Sequence, residues 1–437
     1  MNAKISNRAV FEIVIVAWIL IAGYYNLHTS ISCRSRDFWG HVQYAEIITK
    51  EHRLPTPHEG WETFQSPLYY LIVSYIASPS LSTEMNQEAL IAYGRALSVL
   101  FGGLSLLIIT WFLQQINLQP FLQLLVILFT ATTPKFVFVF STFNNDSLAT
   151  FLSIATLVLA YRLYHKWSKK TAWALLLVAA GSLYAKLTTI ISIGCVGIVC
   201  CKNLLNKMRP SNIQLKIIYI LALSIVLFSP WLVLHNYKHT GRLIATNFDG
   251  SIDRFKTTQL KTLFGVLFRI PQLQENPPDY SHEFDEPWIY PTWGGTPHPA
   301  TKRFDTFSYT FIISILDEFH YQAPSVKIIW LILLIHLVVN IISLKYIFES
   351  DLSKLSAFSI LFAHIVNIAT MMPGMLNVPV PNVDFRYIAW TWLPWALLFG
   401  NALSEKSRLS SILNKIFLTG IIFQIYTLVV ISGCWSE

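Results

Sequence analysis

Asp37 and Arg386 are the two residues of this chain best suited to chemistry on a hydroxyl group and a phosphate. Asp37 stands directly before an amphipathic stretch. A carboxylate held there, at the edge of an apolar region, can take the proton of an attacking hydroxyl. Arg386 opens a long apolar run, and a guanidinium matches phosphate oxygens bidentately. Each has a plain structural alternative: aspartate is a preferred helix N-cap, and an arginine at the mouth of an apolar run snorkels to lipid headgroups. Asp146 opens another apolar run, where an aspartate is also a preferred helix cap. Arg95 and Lys186 are cations set within apolar sequence. Such groups are costly to bury and are functional candidates by default, paired with a carboxylate or a phosphate. His41, four residues after Asp37, either faces the same cavity or bonds within its own loop. His336 and His364 lie inside apolar runs and read as satisfied core histidines.

The 437-residue chain that must position these groups is 54% hydrophobic, 14% aromatic and 13% charged. A soluble globular chain carries about a quarter charged residues, so a soluble enzyme, a disordered protein and a nucleic-acid binder are excluded. The formal net charge is +8, yet the basic residues fall in short loops between apolar runs. That distribution orients a membrane protein.

A membrane helix needs about 20 mostly apolar residues. Segments 10–27, 93–113, 147–163, 213–234, 326–344, 355–372, 387–403 and 412–431 meet that need. Segment 121–140 is a further span interrupted by Pro134 and Lys135, and 171–201 accommodates two short spans meeting near Lys186. The expectation is an all-α polytopic transmembrane bundle of about 11 spans, forming one domain over residues 1–437. The first span reads as a signal anchor, because no small-residue cleavage site follows Tyr24-Tyr25-Asn26. If spans alternate, Lys4, Arg8, Lys166, Lys169, Lys170, Lys202, Lys207, Arg209, Lys406, Arg408 and Lys415 share one side. The positive-inside rule makes that side cytoplasmic. The N-terminus is then inside, and loops of about 28–90 and 235–323 face outward.

Within the first outer loop, Phe38, Val42, Ala45 and Ile48 fall on one face of a helix, with His41, Gln43, Glu46 and Lys50 opposite. A short interfacial helix is expected, opened by Asp37 and ended before Pro55. The apolar run from Leu68 to Ile76 is too short to cross a bilayer of ~30 Å and reads as a second interfacial or re-entrant helix. Glu62, Phe64, Gln65 and Ser66 lead into it. The second outer loop gathers Glu283, Asp285 and Glu286 with Trp288, Tyr290, Trp293 and His298. Acids among rings suit carbohydrate, and they equally suit a solvated loop with interfacial aromatics.

In this order the residues resemble the C-type (GT-C) integral-membrane glycosyltransferases. The closer likeness is to the branch of protein O-mannosyltransferases and aminoarabinose or lipopolysaccharide-sugar transferases. A D-x3-H-x2-Y pattern is matched by Asp37, His41 and Tyr44, and Leu54-Pro55 follow. A Pro-Pro-Leu-Tyr-Tyr pattern is matched by Ser66-Pro67-Leu68-Tyr69-Tyr70, and the last matches are Asn144-Asn145-Asp146 and Arg386-Tyr387. The resemblance implies a transmembrane bundle with two interfacial helices in the first outer loop. It also implies a polyprenyl-phosphate-linked sugar donor and inverting transfer to a glycan, lipid or protein acceptor on the outer face. It makes Asp37 and Asp146 the catalytic carboxylates. To substrate binding it assigns Arg386, Tyr387, Arg95, Lys186, His41, Tyr44, Glu62, Gln65, Tyr69 and Asn145. Many relatives carry two adjacent acids in the first motif, where this chain has Asp37-Phe38; a divalent cation is therefore an open question, and no metal ligand is assigned.

Two other classes compete. A transporter or lipid-linked-sugar flippase usually has related halves with paired broken helices; no such repeat is evident, and the ionisable residues gather at outer ends. A non-catalytic membrane subunit has no use for an acid–base set. Five cysteines without CxxC or Cys/His spacing exclude a zinc site and a disulfide framework. Cys195, Cys200 and Cys201 read as small apolar residues, while a Cys33–Cys434 pair on the outer side stays open. The single sequon, Asn145-Asp146-Ser147, opens a helix, which favours a bacterial or archaeal plasma membrane.

Overall fold

The computed structural model describes residues 6–29, 37–77, 87–205, 211–244, 311, 314–316, 323–348, 350–377, 385–404 and 408–431. Among these residues every regular element is helical. The first outer segment holds α2 (Phe38–Glu51) and α3 (Leu68–Ala77), between α1 (Asn7–His28) and α4 (Gln87–Gln115). Then come α5 (Pro120–Thr132), α6 (Pro134–Ser141), α7 (Asp146–His165), α8 (Lys169–Ala185), α9 (Ile190–Leu205) and α10 (Asn212–Pro230). The last four helices are α11 (Ala323–Lys345), α12 (Asp351–Asn377), α13 (Trp392–Ser404) and α14 (Arg408–Ile431). The acidic–aromatic cluster between Glu283 and His298, and both Cys33 and Cys434, lie outside the described residues.

Seven helices among the described residues are long and apolar enough to cross a membrane, and α5 with α6 makes an eighth if that bent pair is one span. The protein is thus a multi-pass membrane protein. The interruptions fall where the side chains require them. Pro134 cannot donate a helical hydrogen bond, and α5 and α6 meet at a bend of 66°. At Lys186 the backbone turns extended, ending α8 before a 3₁₀ turn (Leu187–Thr189) starts the next apolar helix.

The two short helices of the outer segment pack on each other and on the bundle. The rings of Tyr44 (α2) and Tyr70 (α3) stack at 4.0 Å and 9°, and Ser74 donates to the Ala45 carbonyl at 3.1 Å. Phe38, Val42 and Ala45 are buried as the periodicity requires. His41, expected on the opposite face, is also buried, at 1% exposure. The connection between α2 and α3 folds over α2 and roofs that face as well.

That connection is tightly pinned. Arg53 forks onto Glu59 at 2.7 and 2.9 Å, and Gln43 donates to the Glu59 carbonyl at 3.1 Å. A π-helical turn after α10 (Trp231–Tyr237) reaches over from the second half of the chain, where His235 Nε2 donates to the Pro55 carbonyl at 2.8 Å. Gly40 lets the connection lie this close: a Cβ there would stand 2.8 Å from Glu62 Cγ.

Candidate active site

Four charged side chains from four distant stretches meet at the end of the bundle beside α2. Asp37 immediately precedes α2, Asp146 is the first residue of α7, and Lys186 is the break after α8. Arg386 lies in a 3₁₀ turn (Phe385–Thr391) leading into α13. Lys186 Nζ lies 2.6 Å from Asp146 Oδ1. Arg386 stands between the two carboxylates, 3.5 Å from Asp37 Oδ2 and 3.5 Å from Asp146 Oδ2. Side-chain exposure falls from 27% at Asp37 to 11% at Arg386, 5% at Lys186 and 1% at Asp146. Asp37 is therefore the more accessible of the two carboxylates. Tyr387 joins the cluster through its ring, 4.9 Å from Lys186 Nζ.

Neither aspartate is a helix cap. Asp37 has φ 55° and ψ 19°, and its side chain makes no capping hydrogen bond. Its Oδ1 accepts from Trp61 Nε1 at 2.8 Å instead. At α7 the capping contact comes from Asn144 Oδ1, which accepts from the Ser147 amide at 3.1 Å. Each carboxylate is engaged elsewhere, 3.5 Å from Arg386.

Beside the charges lies a set of buried polar side chains. His41 Nδ1 is 2.7 Å from the Tyr70 hydroxyl, and the other ring nitrogen, Nε2, is buried with no hydrogen-bond partner. Burial lowers the His41 pKa to about 4, against the pull of Asp37. Glu62 is 4% exposed; burial, with the charge of Asp37 adding, raises its carboxyl to about 8. The Tyr44 hydroxyl donates to the Gln65 carbonyl at 3.2 Å. Asn145 donates to Gln65 Oε1 at 3.4 Å and to the Ala185 carbonyl at 3.2 Å, tying the α7 opening to both the outer loop and the Lys186 break.

Two expected site residues are placed elsewhere. Tyr69 is wholly buried, and its hydroxyl serves packing, 2.9 Å from the Gly94 carbonyl and 3.0 Å from Ser98 Oγ. Arg95 binds Asn26 Oδ1 at 2.6 Å and the Ser141 carbonyl at 3.3 Å, clamping α1, α4 and α6 together. Conversely, the sequence reading missed Trp61, which holds Asp37, and Tyr70, which holds His41. Their signal was faint: a tryptophan next to the acid Glu62, and a second tyrosine in a short helix already credited with one.

A divalent cation does not fit this arrangement. Lys186 and Arg386 stand against the two carboxylates, so an added ion would have to displace Lys186 or sit against two positive charges. Among the described residues no group of three or more His, Cys, Asp or Glu side chains could hold a metal.

The all-helical fold has a counterpart among solved structures. It is similar to the crystal structure of the oligosaccharyltransferase of the archaeon Archaeoglobus fulgidus in its apo form. That match has a TM-score of 0.50 and 11% identity, covering 99% of this chain and 56% of the other. Archaeal oligosaccharyltransferase AglB of the same organism, in complex with an inhibitory peptide and a dolichol-phosphate, gives a TM-score of 0.48, also at 11% identity, over 99% and 56% of the two chains. The chain thus spans about half the length of these proteins. No family model and no curated protein sequence matches it.

Proposed function

We propose that this protein is a membrane glycosyltransferase that moves a sugar from a polyprenyl-phosphate donor to an acceptor hydroxyl, with inversion at the anomeric carbon. The observation that carries the reading is Arg386 held between Asp37 and Asp146, with Lys186 beneath. Asp37 is the general base: it takes the hydroxyl proton as the acceptor oxygen bonds to the anomeric carbon. The bond from that carbon to the phosphate oxygen breaks, its electron pair stays on the phosphate, and Arg386 and Lys186 meet the growing negative charge. Asp146 orients the two cations. Tyr387, Gln65 and Asn145 line the same site, and Tyr44 supports it through Gln65.

The site faces the outside of a bacterial or archaeal plasma membrane, with the N-terminus in the cytoplasm, as the basic-loop asymmetry requires. Single cysteines at positions 60 and 167 check this in intact cells. An impermeant reagent should label the first and spare the second, and the opposite result would put the site on the wrong face.

The activity is tested by incubating the purified protein with radiolabelled polyprenyl-phosphate sugars and a mixture of glycan, lipid and peptide acceptors. Label should move to an acceptor in the wild type and stay on the donor lipid in Asp37→Asn. Movement of intact donor across a vesicle membrane without transfer would instead make the protein a flippase.

A further inference from the structure

His41 has a buried ring nitrogen, Nε2, with no hydrogen-bond partner among the described residues. Its other nitrogen fixes what Nε2 is. The 2.7 Å contact with Tyr70 has two possible directions. If Nδ1–H donates to the tyrosine oxygen, the hydroxyl proton and the Nε2 lone pair are both left unmatched in a buried place. If the Tyr70 O–H donates to Nδ1, only an Nε2–H is left over. Each unmade buried hydrogen bond is costly, so the second arrangement holds, and His41 presents a fixed, neutral N–H. Burial keeps the ring uncharged, despite the neighbouring carboxylate of Asp37.

This donor belongs to the cluster without being consumed by it. Asp37, one helical turn earlier, is turned to Trp61 and Arg386, and Asp146 to Lys186 and Arg386. A phosphate is drawn to the two cations and gains least from an uncharged donor. A single neutral N–H matches an uncharged oxygen, which in a glycosyl donor means a sugar hydroxyl.

Resting on the transfer reading above, we propose that His41 Nε2–H binds one hydroxyl of the donor sugar, making His41 the residue that reads the sugar while the cations hold the phosphate.

The test is binding to the purified full-length chain, using polyprenyl phosphate, the same lipid carrying the sugar that supports transfer, and its monodeoxy analogues. His41→Phe should weaken the glycosylated lipid by about 10- to 100-fold and leave bare polyprenyl phosphate within about twofold. One monodeoxy donor should bind wild type and His41→Phe equally, because it lacks the oxygen that His41 holds. His41→Gln, which keeps an N–H near the Nε2 position, should restore part of the affinity. Tyr70→Phe, which touches no substrate and frees the tautomer, should lose less than His41→Phe; if His41→Phe does not fold, these two variants carry the same comparison. Equal weakening of the bare lipid phosphate, or of every deoxy donor alike, would overturn the assignment. Binding that follows this pattern without product formation would uphold it and refute the transfer reading instead.

Discussion

Substitution of Asp37 separates the work of its charge from the demand of its backbone. At φ 55° the residue sits in the left-handed region, which costs an ordinary L-residue about 1–2 kcal/mol; Asp and Asn are enriched there, and glycine enters it freely. Its contacts include a hydrogen bond from Trp61 at 2.8 Å and Arg386 at 3.5 Å. The first is worth about 1.5–3 kcal/mol, being charge-assisted. The second is loose and partly exposed, so about 0–1 kcal/mol. Asn keeps an oxygen for Trp61 and tolerates the conformation, so Asp37→Asn should lose no more than about 1–2 kcal/mol. Asp37→Ala forfeits both contacts and meets the backbone penalty, about 2.5–6 kcal/mol together. Asp37→Gly forfeits the contacts alone and should fall between the two. Transfer, in contrast, should drop about 10²–10⁴-fold in all three. Initial rates with saturating donor, and unfolding midpoints of the same detergent preparations, give the two orders. If Asp37→Asn turned over within a few-fold of wild type, Asp37 would not be the base, and Asp146 would take its place as the candidate. An alanine variant as stable as the asparagine one would refute the backbone half of the reasoning.

Lys186→Met should destabilise the protein by about 3–5 kcal/mol, since it strands a buried carboxylate. Adding Asp146→Asn should recover most of that stability in a melting assay while transfer stays lost. Arg386→Ala should weaken binding of polyprenyl phosphate, with Arg386→Lys restoring only part because the bidentate fork is gone; unchanged affinity in both would move the phosphate to Lys186 alone. Glu62 gives a pH signature. Its carboxyl is raised from 4.5 to about 8 by burial, so the stability gained from its protonated form is complete below about 4.5 and lost as pH rises through about 8. The melting midpoint of wild type should fall across that window, and that of Glu62→Gln should stay flatter.

Where composition and period carry the information, the sequence was legible. The apolar face of α2, the short second helix from Leu68 and the breaks at Pro134 and Lys186 all follow from local residue patterns. The partnership of Asp37 and Arg386, 349 positions apart, was visible only through chemical suitability and the family resemblance. Other failures have identifiable physical causes. A hydrophobic period assumes one buried face, whereas α2 is covered on a second side by the loop that follows it, which is why His41 was misplaced. Aspartate is favoured both as a helix cap and in left-handed backbone, so residue type alone did not separate the two at Asp37. Tyr69 and Tyr70 look interchangeable in sequence, yet their rings lie at 85° to each other, and only the second meets His41. Arg95 was expected to pair with a carboxylate or a phosphate, and its neutral partner Asn26 went unseen because it lies near the end of an apolar helix like any polar terminus.

An arginine shared by two carboxylates also imposes an order of events. On the proposed chemistry, Arg386 at 3.5 Å from Asp37 offsets part of the charge of the base before a donor binds. A donor phosphate competes for the same guanidinium and draws it away. Asp37 is released to full basicity only once the group it will help to transfer is in place. The donor thereby arms the group that attacks it, and the base reaches full strength only when there is a sugar to transfer.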